Sequence, residues 1–137
     1  MNYYNEIAVA FILRVFLGSL FLLQGYDKVF KIKIKGVYET FELPMRSKNM
    51  PNFILMLAAI FTSYTELFGG LFLIFGLFKS FALYFLGIDL LLVAIAFGML
   101  NPMWDMQFVF PRLVILVTLL LIPVEWDIIS IDYLIKK

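Results

Sequence analysis

Cysteine and histidine are both absent from the 137 residues. That excludes disulfides, thiol redox chemistry, imidazole metal ligation, His-ligated haem and His-based acid–base catalysis. Charge is scarce as well. Only 15% of residues are Asp, Glu, Lys or Arg, where a soluble domain carries about a quarter. The formal net charge is +1, so no basic signal points to nucleic acid. No metal-ligand set and no catalytic constellation can be read from what remains. Any chemistry falls to carboxylates, lysine, arginine, tyrosine or a partner.

What the chain has is hydrocarbon. Hydrophobic residues make up 64% of it, and mean hydropathy is +0.98. Soluble domains are about half apolar, so the expected class is an integral membrane protein forming a single domain over 1–137. A span of about 20 residues crosses a hydrocarbon core of roughly 30 Å. Four stretches meet that need, at about 7–26, 53–77, 81–100 and 108–124. The leader "MNYYNE" has no Lys or Arg, unlike a secretory leader, so the first span is expected to be retained. Lys79 and Ser80 mark the only turn in the long apolar run after Phe53. The loop "NPMWDMQ" would place Trp104 at interface depth, and Pro111 and Pro123 would open and close the last span. The tail "EWDIISIDYLIKK" reads as a short interfacial helix anchored by Trp126 and Tyr133.

Residues 27–52 hold most of the charge, with apolar residues interleaved. This pattern predicts an amphipathic segment lying on the membrane surface, with Lys28, Lys31, Lys33 and Lys35 turned to headgroups or to a partner. The expected fold is therefore all-α: a four-helix membrane bundle with that surface segment between helices 1 and 2. Four spans put both termini on one side. The opposite side collects Lys28, Lys31, Lys33, Lys35, Arg46, Lys48 and Arg112, and the positive-inside rule makes it cytoplasmic.

Three ionisable residues fall inside spans: Arg14, Glu66 and Asp89. At ~1.5 Å per residue they lie roughly 10, 16 and 12 Å from the terminal side. An unpaired charge at mid-membrane costs at least ~2.5 kcal/mol, so mutual pairing is expected. The helix faces agree. Ala10, Arg14, Gly18, Phe21 and Gly25 share one stripe, and Glu66, Gly69, Gly70, Leu73 and Gly76 share another. Small residues let membrane helices approach closely. Gln24, Tyr64, Thr65, Tyr84 and Thr118 are candidates to extend the network. One arginine against two carboxyls would leave a carboxyl protonated or a proton shared. Such a cluster either fixes helix register or handles a proton or headgroup.

These residues resemble a known family. "FILRVFLGSLFLLQGYDKVF", with Arg14, Gly18, Gly25 and Lys28, resembles the opening of DoxX-type membrane proteins. "YTELFGGLFLIFGLFKSFAL", with Glu66, Gly69, Gly70, Gly76 and Lys79, is similar to that family's second hallmark. The likeness covers about the first two-thirds of the chain. It implies a small four-helix membrane protein. Some relatives look like membrane subunits of thiosulfate:quinone oxidoreductase, and others associate with oxidative-stress or sulfur-redox enzymes. Relatives that work on thiols are a poor guide to a chain without cysteine.

Three functions stay open. The first is a non-catalytic or quinone-associated subunit of a membrane redox complex in the bacterial inner membrane, with quinone as the one cofactor the charge cluster would suit. The second is a scaffold docking a redox-enzyme partner through residues 27–52. The third is a small proton-coupled transporter acting as an oligomer.

Overall fold

The computed structural model describes residues 3–100 and 109–137. Among these residues the fold is all helical. The loop expected to carry Trp104 lies outside them. Helix α1 spans Tyr3–Tyr26, and a π-helical stretch, Asp27–Ile32, continues it. α2 is Lys33–Met45, α3 is Asn52–Phe75, α4 is Lys79–Leu100, α5 is Phe110–Leu121 and α6 is Ile131–Lys136. Three helical stretches are long and apolar enough to cross a membrane: the one opened by α1, then α3, then α4 over Lys79–Ala96. α5 has 12 residues, which is about 18 Å of helix and short of a hydrocarbon core of roughly 30 Å. Pro111 sits in its first turn, and extended backbone at Ile122, followed by Pro123, ends it.

α1 and α3 form the most intimate pair, because glycines face one another across it. A Cβ on Gly70 would come within 2.4 Å of the Leu22 nitrogen, and one on Gly25 within 2.3 Å of the Leu67 nitrogen. Neither helix could hold its place with a larger residue there, since the obstacle is backbone. The buried face of α1 runs Ile7, Ala10, Arg14, Leu17, Gly18, Phe21, Gly25. That of α3 includes Thr62, Ser63, Glu66, Gly69, Gly70 and Leu73. Both stripes are the ones that residue spacing predicts. Leu83, Leu86 and Leu90 of α4 join Leu116 and Leu119 of α5 and Phe21 in one apolar core.

α3 ends at a glycine for a backbone reason. Gly76 has φ +67, a left-handed conformation that a side chain would strain. Its N–H donates to Leu73 O (3.1 Å), and the Leu77 N–H donates to Phe72 O (2.9 Å). These are the two bonds of a Schellman ending. The chain then enters α4, whose first amides are capped from far away in sequence. Asp132 accepts from the N–H of Phe78 (2.7 Å) and of Lys79 (2.8 Å).

α2 turns back from the π-helical stretch at Lys33, whose φ is 66 and ψ 161. That region of backbone space belongs to glycine and costs a lysine about 1–3 kcal/mol. α2 packs on α3, burying Val37 and Met45 and exposing Lys33, Lys35 and Glu39. Both chain ends lie at the same end of the molecule: the Tyr3 hydroxyl donates to the Glu125 carbonyl at 3.5 Å. We call this the terminal end and the opposite one the far end.

Candidate functional site

Of the three intramembrane charges, Glu66 and Asp89 meet and Arg14 stands apart. Arg14 belongs to the terminal end. Its Nε donates to Asp127 Oδ1 at 3.1 Å, and its Nη1 donates to the carbonyls of Leu73 (2.7 Å) and Ile74 (2.6 Å). Nη2 donates to the Ile129 carbonyl. The last carbonyls of a helix lack partners within the helix and carry partial negative charge, so the end of α3 is a natural seat for a guanidinium. Expecting Arg14 to pair with Glu66 and Asp89 ignored that seat. It lies seven and eight residues beyond Glu66, roughly 11 Å along the helix.

The tail closes this end. Asp127 is 3% exposed and bridges Arg14 to Lys79, whose Nζ stands 3.5 Å from Oδ2. Lys79 is therefore buried, where a turn residue had been expected at the surface. Ser130 accepts from the Tyr133 N–H and caps α6, and its own hydroxyl donates to Asp127 O (2.6 Å). Trp126 is half-buried and packs against the core.

Glu66 and Asp89 share a different neighbourhood, toward the far end. Lys28 enters it from the π-helical stretch. Three residues past Gly25, it continues the inward face of α1. Its Nζ stands 2.9 Å from Glu66 Oε2, a charge contact that is not aligned as a hydrogen bond. Thr62 bridges the pair, accepting from Lys28 (3.3 Å) and donating to Glu66 Oε1 (3.4 Å). Lys28 thus parts from the lysines it was grouped with. Lys31 pairs with Asp27 in the open, and Lys33 and Lys35 are exposed. From α5, Arg112 donates to the Gln24 side-chain oxygen and lies over the Phe21 ring at 5.5 Å.

These groups line a cavity of about 370 Å³, bounded by Gln24, Lys28, Glu66, Asp89 and Arg112 on its polar side. Val37, Phe41, Leu90, Val93 and Val109 are among its apolar walls. Asp89 is the anomaly. It is 1% exposed, and neither carboxylate oxygen makes an aligned hydrogen bond among the described residues, although the Thr62 hydroxyl and the Glu66 carboxyl stand beside it. A buried acceptor left so costs about 1–3 kcal/mol, more when charged. Two cations, Lys28 and Arg112, stand with two carboxylates, in place of the single arginine expected from sequence. Gln24 was the one extension of the network that the structure draws in. Tyr64 stacks on Phe68 (ring centroids 6.2 Å apart) on an aromatic groove with Thr65; Tyr84 is exposed, and Thr118 donates to Val114 O in its own helix. Arg112, Thr62 and Asp127 are the residues that sequence reasoning missed. The polar position of Arg112 beside Pro111, at the start of an apolar stretch, was the available signal.

No curated protein and no solved structure matches the chain. The DoxX family model matches residues 9–99, a stretch that contains Gln24, Lys28, Glu66 and Asp89 and stops short of Arg112 and Asp127.

Proposed function

The chain belongs to the DoxX family, and from that premise we propose that it is a non-catalytic membrane subunit of a redox complex whose far-end cavity holds a quinone headgroup. The observation that carries this is the Asp89 carboxylate, buried and without an aligned hydrogen bond among the described residues, on a cavity also lined by Gln24, Lys28, Glu66 and Arg112. A ligand site is typically an apolar concavity with a few convergent polar groups. A quinone head needs hydrogen-bonding partners and a proton-competent group in apolar surroundings, and these residues supply both kinds. Lys28 and Arg112 can donate to a head, and Asp89 can accept from one.

In this reading the three spanning stretches and the shorter α5 form a four-helix bundle in the bacterial inner membrane. α2 rests at its surface with Lys31, Lys33 and Lys35 toward headgroups, and the far end is cytoplasmic by the positive-inside rule. The experiment is Glu66→Gln in the assembled complex. Quinone-dependent turnover is expected to fall while the subunit still accumulates and assembles. A variant that fails to accumulate, with turnover per assembled complex unchanged, would assign Glu66 to folding alone.

A scaffold role has support from the exposed Lys33 and Lys35. Reversing both charges should release a partner from a scaffold and leave it bound to a quinone subunit. A transporter reading has less, since Arg14, Lys79 and Asp127 fill the terminal end with buried ion pairs.

A further inference from the structure

Asp89 stands on the wall between two cavities. The polar one is described above. The second, about 170 Å³, lies between α2, α3 and α4, and shares Phe41, Asp89 and Val93 with the first. Apart from Thr62 and Asp89, its described lining is wholly apolar. Met45, Met50 and Met99 contribute to it. Methionine side chains are flexible and polarizable and adapt to irregular apolar shapes.

The first cavity sets terms for a head. Lys28 and Arg112 balance Glu66 and Asp89 in formal charge, so a head carrying net charge would upset that balance and a neutral one would not. Both carboxylate oxygens of Asp89 lack an aligned hydrogen bond, and an ionised carboxylate only accepts. A ligand hydroxyl supplies the donor they take, in competition with a proton shared with Glu66. The second cavity sets terms for the remainder of such a ligand. It offers no donor or acceptor beyond Thr62 and Asp89 among its described lining, and hydrocarbon alone suits it.

We infer that the two cavities together hold an amphiphile lying across Asp89, with a neutral hydroxyl-bearing head donating to that carboxylate and a hydrocarbon chain in the methionine-lined chamber. This rests on the reading of the far-end cavity as a ligand site, and adds the hydrogen-bonding sense of the head and the course of the chain. A hydroquinone with an alkyl or isoprenoid tail has this chemistry, and so does a single-chain lipid alcohol such as a monoacylglycerol.

The test uses the full chain in phosphatidylcholine nanodiscs, titrated with four probes: a decyl hydroquinone, its oxidised quinone, its dimethyl ether and a decanoyl monoacylglycerol. At least one hydroxyl probe should bind ten or more times tighter than the ether, and which one binds identifies the source of the ligand. Asp89→Leu should erase that preference. Asp89→Asn, which gains a donor, should shift preference toward the oxidised quinone. A diazirine at the chain end of the bound probe should label peptides containing Met50 or Met99 saturably, and Ala96→Trp, which fills the chamber, should abolish that labelling. Binding of both hydroxyl probes no tighter than the ether, or saturable chain-end labelling elsewhere, would overturn the inference. Binding of the oxidised quinone alone would overturn it too while leaving the quinone-site reading standing. Binding of no probe would sink both.

Discussion

The two ends of this molecule use the same materials to opposite effect. At the terminal end two cations, Arg14 and Lys79, surround one carboxylate, Asp127, and every group has a neighbour of opposite charge or a carbonyl. At the far end two cations and two carboxylates line an open cavity, and Asp89 has no aligned hydrogen bond to any described residue. Burial is nearly equal: Arg14 and Asp89 are both 1% exposed. Depth in the apolar interior therefore does not separate a structural charge from a functional one. Access to a cavity does. The terminal cluster is closed over by ion pairs, although Lys79 Nζ itself has no aligned hydrogen bond, and the far cluster opens on a space with capacity left for something outside the chain.

The largest effect that tests this contrast is at Arg14. Removing one partner of a buried ion pair costs about 3–5 kcal/mol, because the other charge is stranded. Arg14→Ala should lower thermal stability in detergent by that order, and Arg14→Lys, which keeps the charge without the planar fork, should recover only part of it. An unchanged melting temperature would mean that the terminal cluster holds nothing together. The opposite sign is expected at Asp89. Replacing a buried acceptor that lacks an aligned hydrogen bond with an apolar residue of similar shape removes a penalty of about 1–3 kcal/mol, so Asp89→Leu should raise stability in the absence of ligand. A loss of that size would make Asp89 a structural residue and collapse the comparison. The smallest effect is at Asp132. Losing a helix cap costs about 1 kcal/mol, and Asp132→Ala should speed amide exchange at Phe78 and Lys79 while leaving the far end unchanged. Exchange that rises at both ends together would show that the two clusters are coupled.

The helical membrane class was legible because composition and span length are properties of the chain alone. So were the close-packing faces: Gly18 and Gly25 in α1 and Gly70 in α3 carry the α1–α3 contact directly, and Gly69 admits Leu86 of α4. The pairing of charges was not legible, since pairing depends on what each helix end offers. Arg14 found the carbonyls closing α3, which no pattern of side chains announces. Asp127 sits in a stretch of mixed polarity that reads as surface. Lys28 was lost among lysines adjacent in sequence, although its three-residue offset from Gly25 already set it on the inward face. α5 was read as longer than its 12 residues because hydropathy runs on through residues 122–124, where extended backbone at Ile122 and the following Pro123 have already ended the helix.

The bond between Arg14 and Asp127 spans 113 positions of sequence. Ribosomes add about 5–20 residues each second, so the arginine of the first helix waits on the order of ten seconds before its carboxylate exists. For that interval the earliest-made helix carries an unneutralised charge, first without α3 and then with only its end carbonyls. Biosynthesis of this protein thus has a step at Asp127 that completes a helix made 113 positions earlier, and a chain stalled before that residue would carry the arginine without its carboxylate.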